Sequence, residues 1–257
     1  DMDTDKLTKD ILKNLAIKIS SAQLSVLSDI FNHKIAIITG GPGTGKTTLI
    51  RSVISVFDER KRDFLLAAPT GRAARRLSEV TGRKASTIHK LLEYNIMSGG
   101  FDRNHDNQLS SYAVIIDEVS MVDTELMYHL LLAIPVDSVL ILVGDVFQLP
   151  SVGPGNVLAD LINSDTIKTF ELIEILRQAK ESPIIVNAHN VRLGIKPDFI
   201  KKDEKSGLSE FYFINQNNPE TVVNSIVELC SNRIPKVFGF EQDIQVLTPM
   251  HKGDIGT

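Results

Sequence analysis

The sequence predicts an α/β fold: a parallel sheet flanked by helices and built around one glycine-rich loop. Three observations carry this. GGPGTGKT at 40–47 fits the phosphate-loop pattern G-x-x-x-x-G-K-[ST], with Gly40, Gly45, Lys46 and Thr47 on the fixed positions. The loop lies between an apolar β-branched run, Ile35 to Thr39, and a stretch from Thr48 to Ile54 with helical apolar spacing. Further apolar runs at 64–68, 113–116 and 139–143 have the length and composition of buried parallel strands.

Composition narrows the class. The 257 residues are 42% hydrophobic and 23% charged, which suits a folded chain of one large or two modest domains. A single cysteine, Cys230, excludes an internal disulfide and fits a reducing compartment. No run of about 18 apolar residues and no signal-peptide pattern occurs, so no membrane association and a cytoplasmic location are expected. Net charge is −4, so a nucleic-acid site has to be a local patch.

Residues 1–30 have helical apolar spacing and predict an N-terminal helical segment of two short helices, with Ser20-Ser21 as a cap between them. Gln23 precedes the loop; its amide has the donor and acceptor to read adenine N6 and N7. In the loop, Gly41, Gly43 and Gly45 let backbone approach phosphate without a Cβ in the way. Thr44 and Thr48 complete the nucleotide-binding set, Lys46 is placed for the β- and γ-phosphates, and Thr47 for Mg²⁺.

The run 64–68 leads into Pro69-Thr70-Gly71-Arg72 and a helix. Nine Lys or Arg stand between 60 and 90 against two acids, the one strongly basic region of an acidic chain. Thr70 and Arg72, at a strand end beside a helix start, make a backbone-phosphate grip, and a solvated basic helix face is the plainer alternative. Residues 93–111, rich in Gly, Asn, Asp and Ser, read as a surface excursion with a small hairpin. The run 113–116 ends in Asp117-Glu118: one carboxylate for Mg²⁺, the other to activate water. A helix follows from Asp123 to Leu132. The run 139–143 leads to Gly144-Asp145 and Gln148, a glutamine placed to sense a terminal phosphate. Beyond Thr166 the pattern changes, with a helix around 184–191, a strand at 211–214, a helix at 219–229 and a strand at 244–247.

Taken together, GGPGTGKTT (40–48), APTGRAARRLSE (68–79), STIHKLL (86–92), VIIDEVSMVD (114–123), VGDVFQLPSVGPGNVL (143–158), ILRQAKESPIIVNAH (175–189) and VLTPMHKGDIGT (246–257) resemble superfamily 1 DNA helicases of the RecD type, related to the α subunit of exodeoxyribonuclease V. The resemblance covers about residues 20–257. It implies a RecA-like P-loop NTPase domain over 31–166, with a strand-separating pin at 93–111, and an incomplete second RecA-like domain over 167–257. It implies ATP and Mg²⁺ as cofactors and 5′ to 3′ motion on single-stranded DNA. It also assigns roles: Gln23 to adenine, Lys46, Glu118, Gln148 and Arg177 to catalysis, Thr47 and Asp117 to metal, and Thr70, Arg72 and His89 to DNA. Arg177 is the arginine finger. The family's last two motifs would lie beyond Thr257, so a fragment with weak hydrolysis of its own is expected. Recombination or nuclease subunits are expected partners. A nucleotide-regulated DNA-binding assembly subunit and a small-molecule kinase are rival readings of the same loop.

Overall fold

The computed structural model describes residues 19–174, 182–198, 210–239, 244–248, 250–253 and 256. The chain divides into two compact units, residues 1–197 and 198–257.

The first unit is a six-stranded sheet in the order β3-β2-β6-β7-β1-β8. Its strands are β1 (Ile35–Gly40), β2 (Phe64–Ala68), β3 (Ala85–Thr87), β6 (Ala113–Ile116), β7 (Val139–Gly144) and β8 (Lys168–Leu172). Every pair is parallel, so all six carboxyl ends share one edge. Alternate residues of a strand face opposite sides. Ala36, Ile38, Ile115 and Ile141 enter one core with helix α1 (Ser21–Asp29) and helix α2 (Lys46–Glu59). Ile37, Val114, Ile116 and Leu142 enter the other, with α5 (Thr124–Ala133) and α6 (Val157–Asn163). Burial on both faces is why these strands are apolar throughout and show no polar alternation.

Local signals set the helix starts. Ser20 and Gln23 close a capping box on α1. Thr70 caps α3 (Gly71–Thr81), and Asp123 caps α5. The short α4 (Ile88–Leu91) leads to an antiparallel hairpin, β4 (Tyr94–Asn95) with β5 (Gly100–Phe101), inside the predicted excursion. Helix α7 (Pro183–Arg192) ends the described part of this unit's elements.

Three expectations are corrected. The boundary placed after residue 166 cuts off β8, yet β8 pairs with β1 from Ala36↔Lys168 to Gly40↔Leu172 and belongs to the first unit. Its short, mixed sequence becomes a strand because β1 offers it a free edge. Residues 211–214 and 244–247 are not strands. They are β-prone, but composition alone does not make a strand. In the second unit the helices are α8 (Pro219–Glu228) and α9 (Ile234–Phe238), joined by a π-helical stretch at Leu229–Arg233. The first helix expected within 1–30 lies outside the described residues.

Candidate nucleotide-binding site

The site forms where β1, β6 and β7 end. A cavity of about 520 Å³ is lined by Gly41, Pro42, Gly43, Gly45, Lys46 and Thr47 of the loop, by Asp117 and Glu118 after β6, and by Gln148 after β7. Ala73, Arg76, Leu77 and Val80 of α3 close one side, and Ile185 of α7 also contributes. The sheet thus brings together three stretches that the sequence separates by about 70 and 30 residues.

The loop is held open from within. Gly43 and Gly45 take positive φ of 73° and 86°, which favours glycine. Gly45 is the residue before α2, so the positive end of that helix dipole faces the cavity. Thr44 is buried, and its Oγ1 donates to the Gly41 carbonyl at 2.9 Å; it braces the loop and does not line the cavity. Thr47 is exposed at the cavity, while Thr48 lies in the first turn of α2, outside the lining.

Lys46 Nζ donates to the carbonyls of Gly40 at 2.6 Å and Gly41 at 3.2 Å. Burial pulls its pKa below the ordinary lysine value, and Asp145, Glu118 and Asp117 oppose that shift. Asp145 is 2% exposed, and its Oδ1 accepts the Phe147 N–H at 3.1 Å. The sequence placed Asp145 only at a strand end; its role as the main carboxylate field on Lys46 needed the three-dimensional arrangement.

Asp117 and Glu118 are both raised above ordinary carboxylate values, chiefly by burial, and Asp117 pushes Glu118 up further. Asp117 Oδ1 accepts the Glu118 N–H at 2.9 Å. Glu118 has φ 54°, a left-handed conformation costly for a non-glycine residue. Its Oε2 is buried with no hydrogen-bond partner among the described residues. Arg76, unremarked by sequence except as part of the basic region, lowers both acids electrostatically.

Gln148 is exposed and lines the cavity. Its loop is tied to the segment after the acid pair: the Thr124 N–H donates to the Pro154 carbonyl at 2.9 Å. A Cβ on Gly153 would strike the Asp123 carboxylate. The two motifs therefore pack as one piece.

Other predicted residues sit elsewhere. Gln23 is 1% exposed. Its Nε2 donates to the Gly45 carbonyl at 3.0 Å and its Oε1 accepts the Ser20 N–H at 3.0 Å. In this conformation the amide clamps the phosphate loop to α1. One amide hydrogen and one oxygen lone pair remain, and an adenine contact needs local movement to expose them. Thr70 Oγ1 is engaged as the α3 cap, Arg72 is exposed, and the exposed His89 packs edge-on against Tyr94 at 5.7 Å. None of these three lines the cavity. Arg177 lies outside the described residues.

The residues present fit a magnesium–triphosphate: glycine backbone for phosphate, a lysine, a hydroxyl and a carboxylate for the metal, and a carboxylate oxygen with no partner. Among the described residues no helix is long and apolar enough to cross a membrane.

Comparison with known proteins places the chain in a family. The AAA domain family matches residues 23–154. The chain is 38% identical over 238 residues to the ATP-dependent RecD2 DNA helicase of Deinococcus radiodurans, covering 93% of this chain and 31% of that protein. It is 31% identical over 218 residues to the RecBCD enzyme subunit RecD of Mycobacterium tuberculosis, covering 75% and 38% respectively. The crystal structure of Pif1 helicase from Candida albicans superposes with a TM-score of 0.52 at 27% identity, covering 71% of this chain and 46% of that one. The chain thus spans about a third of the length of these two curated relatives.

Proposed function

Since this chain belongs to the AAA domain family and resembles RecD-type helicases along most of its length, we propose that it is the nucleotide-binding motor of an ATP-dependent DNA helicase moving 5′ to 3′ on single-stranded DNA. The observation that carries the proposal is the convergence of the phosphate loop, Asp117-Glu118 and Gln148 on one cavity.

In this reading the loop N–H groups and Lys46 bind the phosphates of ATP. Thr47 and Asp117 hold Mg²⁺, which when bound neutralises phosphate charge. Glu118 orients water and accepts its proton. Burial raises its basicity, which suits a general base. Gln148, on the loop tied to the acid-pair segment, relays the state of the terminal phosphate. Arg177 serves as arginine finger, and closure and opening of a cleft between two motor domains moves the DNA. Thr70, Arg72 and His89 hold the DNA backbone, so binding depends on salt and little on sequence. Recombination or nuclease subunits are the proposed partners, and the cytoplasm the proposed compartment.

The test is Lys46→Ala in the protein that contains this chain. DNA-stimulated ATP hydrolysis should fall by roughly 10²–10³-fold, the scale for removing one preorganised charge contact, while single-strand binding persists. Unchanged hydrolysis removes Lys46 from the mechanism. Absence of ATP-driven unwinding of a 5′-tailed duplex by the wild-type protein favours a nucleotide-regulated assembly subunit instead.

A further inference from the structure

Helix α7 brings a second basic group to the phosphate loop. A Cβ on Gly41 would collide with Arg192 Nη1 and would lie 3.0 Å from Arg192 Cζ and 3.3 Å from His189 Nε2. Gly41 does not have positive φ. Its missing side chain therefore serves this close approach and not an unusual backbone conformation. The Arg192 guanidinium also lies over the Phe147 ring, with Cζ 4.2 Å from the centroid. That contact holds one face of the guanidinium and leaves its N–H edge for other partners.

Those partners are missing among the described residues. Arg192 Nε and His189 Nε2 are both buried atoms without a hydrogen bond. Among the described residues no ion pair reaches Arg192, although Asp117, Glu118 and Asp145 all act on the neighbouring Lys46. Arg192 itself works against the Lys46 charge. Two cations held close together repel each other until a polyanion sits between them.

The position along the loop says which phosphate is meant. The backbone N–H groups of such a loop cradle the α- and β-phosphates, and the lysine reaches the β- and γ-phosphates. Arg192 approaches Gly41, at the start of the loop, whose carbonyl also accepts from Lys46 Nζ at 3.2 Å. We propose that Arg192, assisted by His189, contacts the terminal phosphate of the bound nucleoside triphosphate and so discriminates triphosphate from diphosphate. The assignment rests on the phosphate-loop reading above. It adds a γ-phosphate ligand beside the arginine finger assigned to Arg177.

The test measures binding of a non-hydrolysable ATP analogue and of ADP, both with Mg²⁺, to this chain. Arg192→Gln should weaken the triphosphate analogue by roughly 10- to 100-fold, the scale of one lost charge-assisted hydrogen bond, and ADP by no more than about 2-fold. His189→Asn should act in the same direction with a smaller ratio. Arg192→Lys should fall between wild type and Arg192→Gln, and decides the matter if the glutamine variant does not fold. Equal losses for both nucleotides, or none for either, overturn the assignment. Lys46→Ala keeps the two levels apart. If it loses both nucleotides while the Arg192 variants keep the wild-type ratio, only the Arg192 assignment falls. If it binds both as wild type does, the phosphate-loop reading falls with it.

Discussion

The same strands behave in opposite ways at their middles and at their carboxyl ends. In the middle, Ile37, Ile115 and Leu142 are almost wholly buried, and each neighbour is apolar. Two or three residues further on, Gly40, Asp117 and Asp145 bring backbone amides and carboxylates to the cavity rim. The middle follows the hydrophobic effect: apolar area is hidden and little is left unsatisfied. The rim departs from it. Glu118 is strained and raised in pKa, and Lys46 is pulled down by burial. A folded core stabilises the chain, and part of that stability holds charged groups where a polyanion can use them.

Three substitutions turn this contrast into measurements. The largest effect belongs to Phe57. It is 1% exposed in α2 and packs against Phe31 at 5.5 Å, Tyr112 at 5.8 Å and Phe64 at 6.0 Å. Phe57→Ala should cost about 3–5 kcal/mol of unfolding free energy, read from denaturant melts. A cost below about 1 kcal/mol would mean the core is not organised around this ring.

Glu118→Gln should act the other way. The carboxyl has a higher pKa in the folded chain than in the unfolded one. The folded state therefore binds more protons, and stability falls as pH rises from the ordinary glutamate range through the raised value. Glutamine has no such dependence. The variant should gain roughly 1 kcal/mol over wild type at neutral to mildly alkaline pH, a typical single-substitution effect. The gain should shrink towards pH 4. Thermal melts across pH check this, and a variant less stable than wild type at pH 8 would contradict the picture of a rim held under strain.

Thr70→Ala should have the smallest effect. It removes the side-chain acceptor for the Ala73 N–H, at about 0.5–1 kcal/mol. If single-strand DNA binding fell far more than stability did, Thr70 would be a DNA contact as well as a cap.

Much of the site was legible in advance because its parts are local. A glycine-rich loop between strand and helix and an acid pair at a strand end each depend on a few adjacent residues. Gln23, Asp145, Arg76 and Arg192 were less legible. Each is an ordinary polar residue in its own stretch, and its importance comes from a neighbour 22 to about 150 positions away. The strands expected at 211–214 and 244–247 failed for the converse reason. Their composition suits a strand, but β-propensity follows context more than local composition.

By itself the sequence determined the parallel α/β class, the phosphate loop and the acidic strand end, since periodicity, turn chemistry and glycine freedom are properties of consecutive residues. Only the tertiary structure decided that β8 completes the sheet beside β1, that Gln23 clamps the loop, and that helix α7 lays Arg192 against Gly41. Those outcomes depend on which distant surfaces meet, and the packing of two apolar cores on one sheet sets that.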